Sequence, residues 1–109
     1  MEFQKEIIKD NKVLKIIGNM DVHNIHKAEK LLMEEFRKKD CKHLIIDLTK
    51  VDFVSSAGLR VIVAALKITN ELEITLSLSG LNSSVQKVFE IVDMNSMFRI
   101  RKTYEDALV

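Results

Sequence analysis

The chain has 109 residues, 47% of them hydrophobic and 30% charged, with a formal net charge of +1, one cysteine and no proline. That length supports one hydrophobic core rather than two, and the composition is that of a folded globular protein rather than a disordered or fibrous one. It excludes an internal disulfide, a thiolate zinc cluster and a strong field for nucleic acid or anionic lipid; no apolar run approaches the roughly 18 residues of a membrane span, so no membrane insertion is expected.

The opening "MEFQKEIIKD" is charged throughout and lacks the apolar core of a signal peptide. A lone cysteine suits a reducing compartment, so a cytoplasmic protein is expected. Glycine occurs only as Gly18, Gly58 and Gly80. With no linker to divide the chain, one domain over residues 1–109 is expected.

Phe3, Ile7 and Ile8, then "KDNK", then "VLKIIG" predict two short strands around a tight turn in which Asp10 and Asn11 tolerate the geometry. From Asn24, a candidate N-cap, the residues Ile25, Ala28, Leu31, Leu32 and Phe36 recur at helical spacing. "HLIIDL", residues 43–48, reads as a central strand covered on both faces. Residues 59–68 predict a helix that is apolar almost all round. "LEITLSLSG" alternates at Ile74, Leu76 and Leu78, as a strand with one buried face does, and Gly80 ends it. Asn82 is placed to cap a helix carrying Val85, Val88, Phe89 and Val92. "FRIR" is a final strand, and Thr103 caps a terminal helical turn with Tyr104 and Leu108.

The order ββαβαβαβα predicts an α/β fold: a mixed sheet with an opening antiparallel hairpin, parallel crossovers and helices packed on it. The basic run Arg99, Arg101, Lys102 marks an exposed strand edge, with a phosphate-binding patch as the second reading. The sheet edges and residues 94–98, starting at Met94, leave a monomer and a weak homodimer both open.

The segment "VDFVSSAGLRVIV" sets two serines between an apolar run and a glycine. Helix-starting amides are unsatisfied donors, and Ser56 is placed to accept from them, with Ser55 as a turn residue and Gly58 allowing close backbone approach. Continuing from Ser56 at helical spacing gives Arg60, Val63 and Lys67 on one stripe, while Leu59, Ile62 and Leu66 take the other side. Val63, flanked by Ala64, thus lies between two cations. Such a stripe suits a partner protein; a plain solvated face is the other reading.

His23 and His26, at i, i+3 beside Asp21, could share a metal, yet no third ligand accompanies them, so a polar helix start and no metal are expected. Nothing assembles a nucleophile, base and oxyanion hole, and no glycine-rich phosphate loop is present. No enzyme and no cofactor are expected.

"GNMD", "LIIDLTKVDFVSSAGLRVIV", "LSGLNSSVQKVFEIVDM" and "MFRI", in this order over nearly the whole chain, resemble the STAS domain of bacterial anti-sigma factor antagonists. The resemblance implies a STAS fold and a partner switch. A serine kinase, itself the anti-sigma factor, would phosphorylate Ser56, and a serine phosphatase would reset the protein. The unmodified form would bind that kinase through Val54, Ser55, Ser56, Ala57, Arg60, Val63 and Lys67, freeing a sigma factor. Ser55 stands where relatives carry an aspartate, which makes Ser55 the alternative acceptor. It also leaves open a constitutive scaffold or accessory subunit of a signalling or lipid-transport complex, not phosphorylated. Asp21 matches a family aspartate beside the serine loop, or else organises the turn into the first helix. Asp47 caps the turn after its strand or holds the serine loop, which Gly58 also supports.

Overall fold

The computed structural model describes residues 1–91 and 98–109. The predicted helical position Val92 and the edge at Met94 lie outside the described residues. Five strands form one sheet in the order β1-β2-β3-β4-β5: β1 (Glu2–Ile8), β2 (Asn11–Ile17), β3 (His43–Lys50), β4 (Thr75–Ser79) and β5 (Arg99–Arg101). β1 and β2 pair antiparallel as the predicted hairpin, and every later pairing is parallel. Parallel neighbours need crossovers, which α1 (Ile25–Lys38), α2 (Ser56–Glu71) and α3 (Ser83–Ile91) supply; α4 (Tyr104–Ala107) follows the last strand. The predicted α/β order is the observed one.

Strand alternation sorts the side chains to two faces. Leu14, Ile16, Leu44, Ile46, Leu48, Leu76 and Leu78 point to one side, where they meet Ile25, Ala28, Leu32 and Phe36 of α1, Leu59, Val61, Ile62 and Ala65 of α2, and Val85 and Phe89 of α3. Phe89 and Phe98 meet edge to face, with centroids 5.6 Å apart, and join α3 to the approach to β5. The back of the sheet carries a smaller cluster of Val13, Ile45 and Ala107, extended by Tyr104 and Leu108.

Covering of that back face corrects two expectations. β4 is buried on both sides, not one: Ser77 and Ser79 are buried along with Leu76 and Leu78. They are tolerated because each has a partner, His43 Nε2 at 2.7 Å for Ser77 and Asp47 Oδ1 at 2.7 Å for Ser79. The hairpin turn falls on Lys9 and Asp10, with Lys9 at φ 55°, while Asn11 is already the first, buried residue of β2. Its side chain is needed there. Asn11 Nδ2 donates to Ile8 O and Val109 O, and Asn11 Oδ1 accepts from Val109 N and lies 2.8 Å from His43 Nδ1. Burial, and then the charge of Arg99, hold the His43 imidazole below its ordinary pKa.

Candidate functional site

β3 leads into residues 51–55, which are held from three directions. Val51 and Val54 are buried in the core. Met20 and Val54 form an isolated parallel bridge, in which Met20 N donates to Phe53 O and Ser55 N donates to Met20 O, both at 2.9 Å. Asn82 Nδ2 donates to Val51 O at 3.2 Å, while its Oδ1 accepts from Val85 N at 2.8 Å. Asn82 therefore caps α3 as predicted and also ties α3 to the serine segment, a role its sequence neighbourhood does not signal.

Ser55, not Ser56, caps α2. It is extended at φ −79°, ψ 173°, its carbonyl accepts from Leu59 N at 2.8 Å, and its Oγ accepts from Gly58 N at 3.2 Å. Its hydroxyl proton goes to Met20 O at 3.0 Å. The cap falls one residue early because the Met20–Val54 bridge fixes where extended backbone ends. Gly58 is required at this junction: a Cβ there would lie 2.6 Å from Met20 O. The predicted close approach is this contact between α2 and the chain entering α1.

Ser56 is consequently the first helical residue, exposed, with no hydrogen bond to its hydroxyl among the described residues. The first turn of α2 holds no acidic side chain, so its amide groups present partial positive charge unopposed. Arg60 and Lys67 are exposed along the same stripe, with Val63, Ala57 and Ala64 half-buried. Neither cation has an ion-pair partner among the described residues. Ala57, Arg60, Val61 and Ala64 form one wall of a groove of about 450 Å³ whose other wall is Ile25, His26 and Glu29 of α1. Val22 and Phe53, on the two segments that meet at the Met20–Val54 bridge, are exposed as well. Sequence periodicity missed both, since neither belongs to a helix or strand.

The remaining predicted residues separate into near and far. Val54 is buried, so it anchors the loop and is not a contact surface. Asp21 organises the turn into α1: its Oδ1 accepts from His23 N at 3.0 Å and Asn24 N at 3.1 Å, and its carbonyl accepts from Ile25 N. Asn24 occupies the N-cap position without a capping side-chain bond; its backbone carbonyl accepts from Lys27 N, while Asp21 serves the amides of the turn that leads into it. Asp21 stays beside the serine segment through its neighbour Met20. Asp47 does not hold the serine loop by hydrogen bonds; it lies on the back face, accepting from Thr49 Oγ1 at 2.8 Å and Ser79 Oγ at 2.7 Å. His23 and His26 are exposed, and among the described residues no three His, Cys, Asp or Glu side chains gather as a metal ion requires.

An open sheet crossed by helices, with an exposed hydroxyl at the start of α2 and exposed cations along the same helix, makes a small α/β domain. The model of the STAS domain family matches residues 2–107, and the chain belongs to that family. It is 31% identical over 97 residues to the anti-sigma-B factor antagonist of Listeria monocytogenes, covering 89% of this chain and 84% of that one. An anti-sigma factor antagonist from Mycobacterium paratuberculosis superposes with a TM-score of 0.88 at 18% identity, over 97% of this chain and 89% of that one. The Bacillus cell fate determinant SpoIIAA in its phosphorylated form superposes with a TM-score of 0.73 at 15% identity, over 97% and 96%. No helix among the described residues is long and apolar enough to cross a membrane.

Proposed function

We propose that this chain is an anti-sigma factor antagonist that acts in the cytoplasm as a single, non-enzymatic domain. In this reading the unmodified form binds an anti-sigma serine kinase through Ser56, Ala57, Arg60, Val63 and Lys67 and thereby frees a sigma factor. Phosphorylation at Ser56 switches binding off, and a serine phosphatase restores it. The names of the relatives support the class. The observation that carries the site is the division of labour between the serines: Ser55 uses its hydroxyl as donor and acceptor, whereas the Ser56 hydroxyl has no partner among the described residues.

The same geometry answers the departure at Ser55. Aspartate and serine are comparable N-caps, so exchanging one for the other preserves the helix start on which Ser56 stands. A phosphate on Ser56 adds roughly −1.5 to −2 charges beside the positive end of α2, which the fold accommodates. The partner meets a bulky dianion instead of a small hydroxyl, and Arg60, one turn along, is drawn from the partner's surface.

The test incubates the protein with each anti-sigma serine kinase encoded in the same genome and ATP. One kinase should add a single phosphate that peptide mapping places on Ser56. Ser56→Ala should retain binding to that kinase and Ser56→Asp should weaken it by tenfold or more. Equal affinity of both variants, or phosphate on Ser55, defeats the proposed switch.

A further inference from the structure

The back of the sheet holds a feature that partner switching does not use. A cavity of about 390 Å³ opens between the strand ends and the segment entering α4. That volume lies within the range of small-molecule sites, roughly 300–1,000 Å³. Asp47 lines it and is 5% exposed. Both Thr49 and Ser79 donate to Asp47 Oδ1, which fixes the carboxylate plane. Asp47 Oδ2 accepts from no side chain or backbone group among the described residues. Since no buried side-chain oxygen there lacks a partner, Oδ2 must reach open space, and the cavity is the space that Asp47 lines.

Around this oriented acceptor the walls differ in kind. Ile17 and the Tyr104 ring offer flat apolar surface. Lys15 and Lys50 also line the cavity, and neither pairs with Asp47 among the described residues. Lys15, the cross-strand neighbour of Asp47, has its Nζ 4.5 Å from the centre of the Tyr104 ring and 3.4 Å from Glu6 Oε2, paired with Glu6 rather than with Asp47.

We infer that this cavity is a binding site for a small amphoteric molecule. Its donor nitrogen meets Asp47 Oδ2, its flat body lies against Tyr104 and Ile17, and its carboxylate or phosphate meets Lys15 and Lys50. A largely buried carboxylate with one oxygen doubly held and the other open to the cavity is preorganised for a donor, and a bound molecule that covers the open oxygen without donating to it leaves it unpaired. Lys50, and Lys15 in competition with its Glu6 pairing, favour an anion on the bound molecule, while Glu105, which also lines the cavity, restricts where that anion can sit.

Three probes of matched shape separate these contributions. 4-(Aminomethyl)benzoate carries both ends, 4-methylbenzoate lacks the donor, and benzylamine lacks the anion. In amide NMR titrations of the intact protein, the first should shift Lys15, Asp47, Thr49 and Tyr104 saturably. Each of the other two should bind at least about tenfold more weakly. Asp47→Asn keeps an oxygen for Thr49 and Ser79, and should abolish the preference for the amine while leaving distant amides unmoved. Lys50→Met, at an exposed position, should reduce the preference for the carboxylate. Absence of saturable shifts, equal affinity of all three probes, or shifts that map away from these residues would overturn the site.

Discussion

Charge is used in opposite ways on the two helices that flank the serine segment. On α1, Glu35 is buried and its oxygens accept from Lys5 and Lys12 at 3.1 Å and Lys38 at 3.0 Å; the fully buried Lys12 also pairs with Asp40. The network stitches β1, β2, α1 and the turn toward β3 together. On α2, Arg60 and Lys67 point outward without an ion-pair partner among the described residues. The difference separates charges that the fold consumes from charges left for something else to meet. A buried pair is costly to break because the surviving charge cannot return to water, whereas an exposed lone cation is nearly neutral to stability.

Removing Glu35 should have the largest effect. Glu35→Ala leaves Lys12 buried with Asp40 alone and should cost about 3–5 kcal/mol in urea unfolding. The double change Lys12→Met, Glu35→Leu should recover most of that loss, because apolar groups of similar volume need no partner. Arg60→Ala and Lys67→Ala should stay within about 0.5 kcal/mol of the parent. A large loss at Arg60 would erase the distinction between the two helices.

Acid should reveal the same asymmetry. Burial pushes the Glu35 carboxyl up, but hydrogen bonds from Lys38, Lys12 and Lys5 more than reverse this and hold it below its ordinary value of 4.5. A carboxylate depressed in the folded state contributes stability above its unfolded pKa and loses it as pH falls through the folded one. Stability should therefore drop below about pH 4.5, with a slope that is reduced in the Lys12→Met, Glu35→Leu protein.

The sequence contained part of this cluster. Period-two alternation in "NKVLKII" sets Lys12 on the face of Leu14 and Ile16, and helical spacing sets Glu35 three residues after Leu32 and beside Phe36. Each looks like a break in a hydrophobic pattern until the other is placed opposite it, and pairing across the hairpin and helix is not a local signal. The elements themselves were legible because periods of 2 and 3.6 are written in consecutive residues. The capping serine was not, since it depends on Met20, far away in the chain. Ser77 and Ser79 misled for a similar reason: alternation marks them as facing water, and only the return of α4 and of the side chains of His43 and Asp47 shows otherwise.

Seating of α2 depends on backbone proximity instead of charge, and a smaller perturbation should expose this. Gly58→Ala places a methyl group against Met20 O and Cβ and the Val54 side chain. Alanine ordinarily strengthens a helix relative to glycine. Here it should cost about 1–3 kcal/mol, since the crowded atom is a carbonyl that also accepts from Ser55. A gain in stability from Gly58→Ala would show that the α2 start is not pressed against the β2–α1 connection.

The smallest effects should distinguish the two serines. Ser55→Ala removes the acceptor for Gly58 N and the donor to Met20 O, and should cost about 1 kcal/mol, whereas Ser55→Asp restores a capping oxygen and should recover much of it. Ser56→Ala should lie within about 0.5 kcal/mol of the parent, because its hydroxyl makes no hydrogen bond among the described residues. Urea midpoints at constant slope would measure all three. Equal losses at Ser55 and Ser56 would mean that the helix start shares its cap. Ser56 would then no longer be a position whose modification leaves folding untouched, and the proposed phosphate switch rests on that independence from stability.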